Sequence, residues 1–507
     1  MFAQALARTT QVFANNLAIV SPAGNMNWRD FGRGIRSVAG GLRELGLAPG
    51  DRVAVLAGNT PEHLTMMYAI SWAGCVLVPL NVRLSIDEMA TIVDEAEASA
   101  IVADGANKDS LDALADAVTG TPKLIDLDGD AGQETTLEDL ANTEGVDPWQ
   151  AQLSDLAALF YTGGTTGRPK GVMVSDGSLT VQTLNLVKDL NISSETVYIH
   201  APPIFHLAGA GVAHACSFSG ATQVFPADMA PDAFMKMVAD HKVTFVSLIP
   251  TMLAGMMEAP GVSEAFRDVR TIVYGAAPIS EALLRKVMER CPDVDLVQIY
   301  GQTECVGPCL ILPPERHTLS GPLAGKLNTA GRANMTSEVR IADEAGQPVA
   351  PGTAGEILIR GPSVMLGYWK QPDISEQTLK DGWLHTGDLG VMDEDGFVRI
   401  ADRLKDMIVS GGENVFCGEV ENAISEHPEV IACAVVGLPD EKWGERVHAV
   451  VVVSDSHSLT EKSLRDHCKD LIAGYKCPRT ATFTTEPLPL SAVGKVRKDL
   501  LREQVAG

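Results

Sequence analysis

The chain has 507 residues, 45% hydrophobic and 21% charged, a composition that supports more than one buried core and excludes a disordered or fibrous protein. Its formal net charge of −25 argues against a basic nucleic-acid-binding face and against attraction to anionic membranes. The nine cysteines are odd in number and form no C-x-x-C pair, which reads as reduced thiols in a cytoplasmic protein without a zinc site.

Residues 1–30 lack the basic and apolar regions of a signal peptide. Strand and helix patterns then alternate: DRVAVLAG, PEHLTMMYAISWAG and CVLVPLN over 51–81 predict α/β layering. The strand LAALF leads into YTGGTTGRPKG over 161–171. Glycines such as Gly163 and Gly164 can turn backbone N–H groups toward an anion, Thr162, Thr165 and Thr166 offer hydroxyls, and Lys170 offers a charge, so the loop suits ATP phosphates. The spacing is not that of a G-x-x-x-x-G-K-[ST] loop. A flexible linker is the alternative, and the position directly after a buried strand argues against it.

Between Glu195 and Asp228 lies an uncharged stretch with Pro202, Pro203 and three histidines. It reads as buried core and pocket wall rather than a membrane span. VRTIVYGAAPIS, EALLRKVMERC and DVDLVQIYG repeat the strand–helix–strand pattern, each strand ending in a small-residue loop that a ligand can approach. From Glu338, short strands separated by Ala-Gly and Asp-Gly turns predict a β-rich subdomain, and a compact α+β block follows residue 405.

Seven segments stand in one order: YTGGTTGRPKG, YGAAP (274–278), YGQTE (300–304), GWLHTGD (382–388), DRLKDMIVSGGENV (402–415), EVE (419–421) and PLSAVGKVRK (489–498). Together they resemble the adenylate-forming, AMP-binding superfamily of acyl- and aryl-CoA ligases, nonribosomal adenylation domains and beetle luciferases, in its acyl-CoA synthetase form. The resemblance spans nearly the whole chain. It implies an α/β fold: a large AMP-binding domain over 1–402, with layered α/β subdomains and a β-rich subdomain, a hinge at 403–405, and a small mobile α+β domain over 406–507. The implied reaction joins a carboxylic acid to CoA at the expense of ATP, through an acyl-adenylate, releasing AMP and pyrophosphate.

The resemblance also assigns roles. Glu304 would hold Mg²⁺, which needs only one or two protein oxygens when ATP supplies the rest, and Thr303 would contact phosphate. Gly275, Ala276, Ala277, Tyr300 and Gly301 would border the adenine. Asp388 would accept hydrogen bonds from both ribose hydroxyls, supported by Arg403. Lys495 would bridge carboxylate and α-phosphate, two anions that otherwise repel. In the second half-reaction, rotation about Lys405 would replace Lys495 with the loop carrying Ser410, Gly411 and Gly412. Taken alone, Glu304 would be a helix N-terminal charge, Asp388 a turn residue and Lys495 a solvated surface charge. The ordered set favours the functional roles.

Other positions stay open. His206, beside Phe205, either borders the acyl pocket or is a buried histidine with a structural hydrogen bond. Gly209, Ala210 and Gly211, with Gly307 opposite, either leave room for an acyl chain or serve helix packing. Ser175-Asp176 stands where the family usually has a histidine, and Phe416-Cys417 replaces a Tyr-Pro. With no cation evident in the acyl wall, a medium- to long-chain fatty acid is the first expectation and an aryl acid the second. A carrier-protein thiol is the alternative acceptor, and a homo-oligomer is neither indicated nor excluded. A non-catalytic nucleotide sensor would be expected to lack Lys495 or Glu304, and both are present.

Overall fold

A computed structural model describes residues 1–506 except 131, 134, 163–168, 278, 405, 412, 441 and 491–495, and omits the side chains of 414 and 506. Two large sheets dominate the first 330 residues. One has six strands in the spatial order Lys123–Asp126, Ala98–Ala103, Arg52–Leu56, Val76–Pro79, Leu156–Thr162 and Lys170–Ser175. Only its last pair is antiparallel. The other sheet has nine strands, from Arg332–Ala333 through Gly307–Leu312, Asp295–Gln302, Thr271–Gly275, Phe245–Leu248, Val197–Ile199, Thr222–Val224 and Leu17–Ser21 to Gly24–Asn27. Its interior pairs are parallel and its two ends antiparallel.

Parallel strands need helical crossovers that cover their faces, and one core unites both sheets with such helices. Helix Pro61–Ala73 starts where Thr60 accepts a hydrogen bond from His63 N and Pro61 fixes the first turn; it stops at Gly74, with φ 84°. A Cβ at Gly74 would lie 2.7 Å from the Trp149 ring. Helix Leu207–Ser219 buries 11 of its 13 residues, as expected of a helix apolar all round. The stretch read as core is therefore core. Among the described residues, no helix is long and apolar enough to cross a membrane.

The departure at Ser175-Asp176 has a structural use. Ser175 caps helix Asp176–Asp189 through Ser178, and the buried Asp176 carboxylate accepts from Phe2 N (3.2 Å) and the Met1 ammonium (2.7 Å), anchoring helix Phe2–Val12. Deeper in the core, a polar chain runs from His214 through Tyr68, Ser217 and Gln223 to His200, with contacts of 2.7–3.3 Å. Burial alone holds the His214 imidazole down to about 3, and burial, partly offset by Gln223, holds His200 there too.

The third sheet is antiparallel and matches the β-rich expectation. Trp383–Met392 pairs with Ala354–Arg360, Leu379–Lys380 and Val398–Arg403, and Glu338–Ala342 borders Ala354–Arg360. The Asp-Gly turn closes through Gly396, φ 82°, whose N–H donates to Asp393 O. A fourth sheet contains Glu413–Val415, Ile408–Ser410, Gly444–Val453, Val430–Asp440 and Thr480–Thr484 around its own apolar core. Across the junction, Cys417 N at the start of helix Cys417–Ser425 donates to Asp402 Oδ2 at 2.5 Å.

Candidate active site

The site forms where the nine-stranded and β-rich sheets meet. Asp388 lies inside strand Trp383–Met392, directly opposite Arg403, so the Thr-Gly before it does not make a turn. Glu356 fixes this stretch: one oxygen meets His385 Nδ1 at 2.7 Å and the other accepts from Gly387 N at 2.9 Å. The Tyr300 hydroxyl comes from the other sheet and donates to Asp388 Oδ2 at 2.6 Å, while Arg403 Nε stands 3.5 Å from Oδ1. Burial first, and then the Asp388 charge, hold the Tyr300 phenol well above its ordinary range, so it is a donor throughout.

Tyr300 reaches that point through a local irregularity. Pairing with Gly307–Leu312 shifts register between Tyr300 and Gly301, and a Cβ at Gly301 would collide with Gly307 O. The chain then makes a single 3-10 turn, Thr303–Cys305, closed by Val306 in the left-handed region at φ 56°. Ala276, just past strand Thr271–Gly275, is also left-handed at φ 64°. Such conformations cost non-glycine residues about 1–3 kcal/mol each and concentrate at functional sites.

Glu304 projects from that turn. Its Oε1 accepts from the Tyr368 hydroxyl at 2.9 Å, and the Tyr368 ring lies 5.2 Å from Lys170 Nζ. Thr162 and Lys170 are paired across the two strands that flank the glycine-rich loop. The structure thus brings together Thr162, Lys170, Thr303 and Glu304 on one side and Tyr300, Gly301, Asp388 and Arg403 on the other. Among the described residues, no three His, Cys, Asp or Glu side chains gather into a metal cage. Glu304, held through one oxygen, fits a metal whose other ligands are phosphate oxygens.

Other expected positions divide. Gly275 ends the strand beside Tyr300's, with Ala276 and Ala277 just past it, and a Cβ at Gly275 would collide with Ile299 O. His206 occupies the N-cap position of helix Leu207–Ser219, its ring 4.9 Å from Phe205. Gly209 is explained by packing, because a Cβ there would strike the carbonyls of Pro202 and Pro203. Gly307, φ 122°, is half-buried and has space up to Gln182, whose amide would lie 3.4 Å from a Cβ. Ser410 and Gly411 belong to the terminal sheet, where Gly411 N donates to Trp443 O; among the described residues, no hydrogen bond joins them to Asp388 or Glu304. Gly163, Gly164, Thr165, Thr166, Lys405, Gly412 and Lys495 lie outside the described residues.

The sequence pattern of AMP-binding enzymes matches residues 6–369, and that of the AMP-binding enzyme C-terminal domain matches 419–495. The chain belongs to the AMP-binding enzyme family. This AMP-binding enzyme is 36% identical over 481 residues to a feruloyl-CoA synthase of an Amycolatopsis species, covering 94% of each chain. It is 34% identical to an indoleacetate–CoA ligase of Aromatoleum aromaticum, over 96% of this chain and 95% of that one. A long-chain-fatty-acid–CoA ligase of Mycobacterium tuberculosis is 31% identical over 91% and 90%. The solved structure of ATP-bound MatB from Rhodopseudomonas palustris superposes with a TM-score of 0.90 at 30% identity, covering 100% of this chain and 99% of that one. The enzyme is an AMP-forming acyl-CoA ligase, and ATP and CoA fit as its substrates.

The motifs passed over three residues. Glu356 and Tyr368 act on partners 31 and 64 positions away, and Gln182 faces Gly307 from helix Asp176–Asp189. The only local signal was the aromatic pair after Gly367, in a stretch otherwise rich in turn residues.

Proposed function

We propose that this ligase activates an aryl or arylalkyl carboxylic acid as its adenylate and transfers the acyl group to CoA. The observation that carries the adenylation reading is the joining of the two clusters by one strand end: Tyr300 meets Asp388, and four residues later Glu304 meets Tyr368. One cluster suits a ribose diol and the other a metal-bound triphosphate. Asp388 would accept the ribose hydroxyls while Tyr300 and Arg403 hold its remaining lone pairs. Lys170 and Thr162, with the loop between them, would take the phosphates. Mg²⁺, when bound at Glu304, supplies charge neutralisation to those phosphates. Lys495, carried by a terminal domain that turns about residues 403–405, would bridge the attacking carboxylate and the α-phosphate. After the turn, the loop of Ser410, Gly411 and Gly412 would face the acyl carbon.

The relatives named for ferulate and indoleacetate support an aryl acid ahead of the fatty acid first expected. A fatty acid is the second reading, supported by the mycobacterial relative. Gly307 and Gln182 would form the far wall, with Phe205 and His206 across from them.

The experiment is ATP–pyrophosphate exchange with a panel of hydroxycinnamic, arylacetic, medium-chain and long-chain acids, followed by thioester formation with CoA or a phosphopantetheinylated carrier protein. Aryl acids should give the highest kcat/KM, with CoA as acceptor. Higher values for alkyl acids would overturn the substrate reading, and no exchange with any acid would overturn the adenylation reading.

A further inference from the structure

Segment 365–369 is sewn to both halves of the phosphate-binding cluster. Along one edge it pairs with strand Lys170–Ser175: Trp369 N donates to Gly171 O (2.7 Å), Met173 N to Gly367 O (2.9 Å) and Leu366 N to Met173 O (2.9 Å). At its start, Met365 N donates to Glu304 O at 2.8 Å. Ser375 Oγ accepts from Tyr368 N at 2.7 Å, and Gly367, φ 137°, makes room for Ser375. Every backbone direction around Tyr368 is therefore fixed by hydrogen bonds.

The side chain sits inside this frame, 5% exposed. Its hydroxyl donates to Glu304 Oε1. A carboxylate only accepts, so the Tyr368 proton must point at Glu304. Fixing one carboxylate oxygen fixes the side-chain torsions, and with them the direction of the second oxygen. Below the hydroxyl, the electron-rich ring face lies 5.2 Å from Lys170 Nζ, within range of a cation–π contact.

We infer that Tyr368 is a positioning residue that orients Glu304 for the metal through its hydroxyl and Lys170 for the phosphates through its ring. This rests on the reading that Glu304 holds the metal of MgATP. One side chain thus couples two groups of opposite charge that would otherwise be free to pair with each other and be lost to the ligand.

The test uses the full chain and calorimetric titration with ATP, once in Mg²⁺ and once in excess chelator. Tyr368→Phe keeps the ring, so metal-free ATP should bind as to the wild type, while MgATP weakens about tenfold, the scale of one hydrogen bond to a charged group. Tyr368→Leu should weaken both forms. In a Glu304→Gln background, Tyr368→Phe should add nothing, because its effect passes through Glu304. Thermal melting confirms that each variant is folded. The proposal is overturned if Tyr368→Phe binds MgATP normally, or if its loss adds in full to that of Glu304→Gln. If Glu304→Gln shows no loss specific to the metal form, the metal reading of Glu304 falls and takes this role with it. A metal-specific loss in Glu304→Gln with none in Tyr368→Phe removes only the role of Tyr368.

Discussion

Asp388→Ala should cost this enzyme nucleotide affinity and stability by separable amounts. A carboxylate offers about four lone-pair sites; Tyr300 and Arg403 approach one oxygen each, which leaves a site on each oxygen for the two ribose hydroxyls. Hydrogen bonds to charged groups are worth about 1.5–3 kcal/mol. Asp388 is 14% exposed, so the low end applies to both bonds, giving about 3 kcal/mol, or roughly 150-fold in Kd. The same substitution leaves the half-buried Tyr300 hydroxyl without its acceptor, a further cost of about 1 kcal/mol in folding. Adding Tyr300→Phe should recover part of that stability and none of the affinity. Calorimetric titration without acid should show the same loss for adenosine, AMP and ATP, since the ribose is common to all three. Retained affinity, or a loss confined to ATP, would refute the ribose assignment.

Lys495→Ala should lower acyl-adenylate formation by about 10²–10³-fold yet still convert supplied acyl-AMP and CoA into thioester; Lys405→Pro should do the reverse, because proline fixes φ at the hinge proposed for the second half-reaction. Separate assays of the half-reactions check this, and equal losses in both steps would sink the two-conformation mechanism. Gly307→Ala, at φ 122° and facing Gln182, should narrow the range of accepted acids and lower the melting temperature, which an acid panel and a melting curve will show. Burial holds His63 down to about 4, and His200 and His214 to about 3, from an ordinary 6.5. Folded pKa values below the unfolded ones mean stability that is complete above about pH 6.5 and lost as the pH falls toward 3, at up to about 1.4 kcal/mol per pH unit for each group. Denaturant midpoints should therefore drop below pH 6.5, with a shallower slope in His200→Leu. An unchanged slope in that variant would show that His200 is not among the groups responsible.

What the sequence made legible is what lies close along the chain. YGQTE shows Tyr300 and Glu304 together because four residues separate them at one strand end, and the apolar helix around Gly209 declared itself buried because it has no polar face. Asp388 looked locally like a turn residue, and only its place in the ordered motifs argued otherwise; the register that sets it opposite Arg403 depends on the neighbouring strand. Tyr368 is marked only as half of an aromatic pair after Gly367. Its meaning arises where the strap of 365–369 crosses from one sheet to another, and no periodicity in the chain encodes that crossing. Asp176 was visible as a departure from the family, but its partner, the backbone of Phe2, lies 174 residues away.

The bond from Cys417 N to Asp402 bears on how such enzymes can be cut and recombined. Helix Cys417–Ser425 has no side-chain cap from its own N-cap residue, Phe416, and its first N–H is satisfied by a carboxylate from the strand before the junction. A terminal fragment that begins at residue 404 leaves that carboxylate behind and starts with a frayed helix. A terminal domain grafted from a relative at the same point would borrow its cap from the host. Exchange between such proteins is therefore smoothest where the host keeps an acid at position 402, whatever acyl group either parent handles.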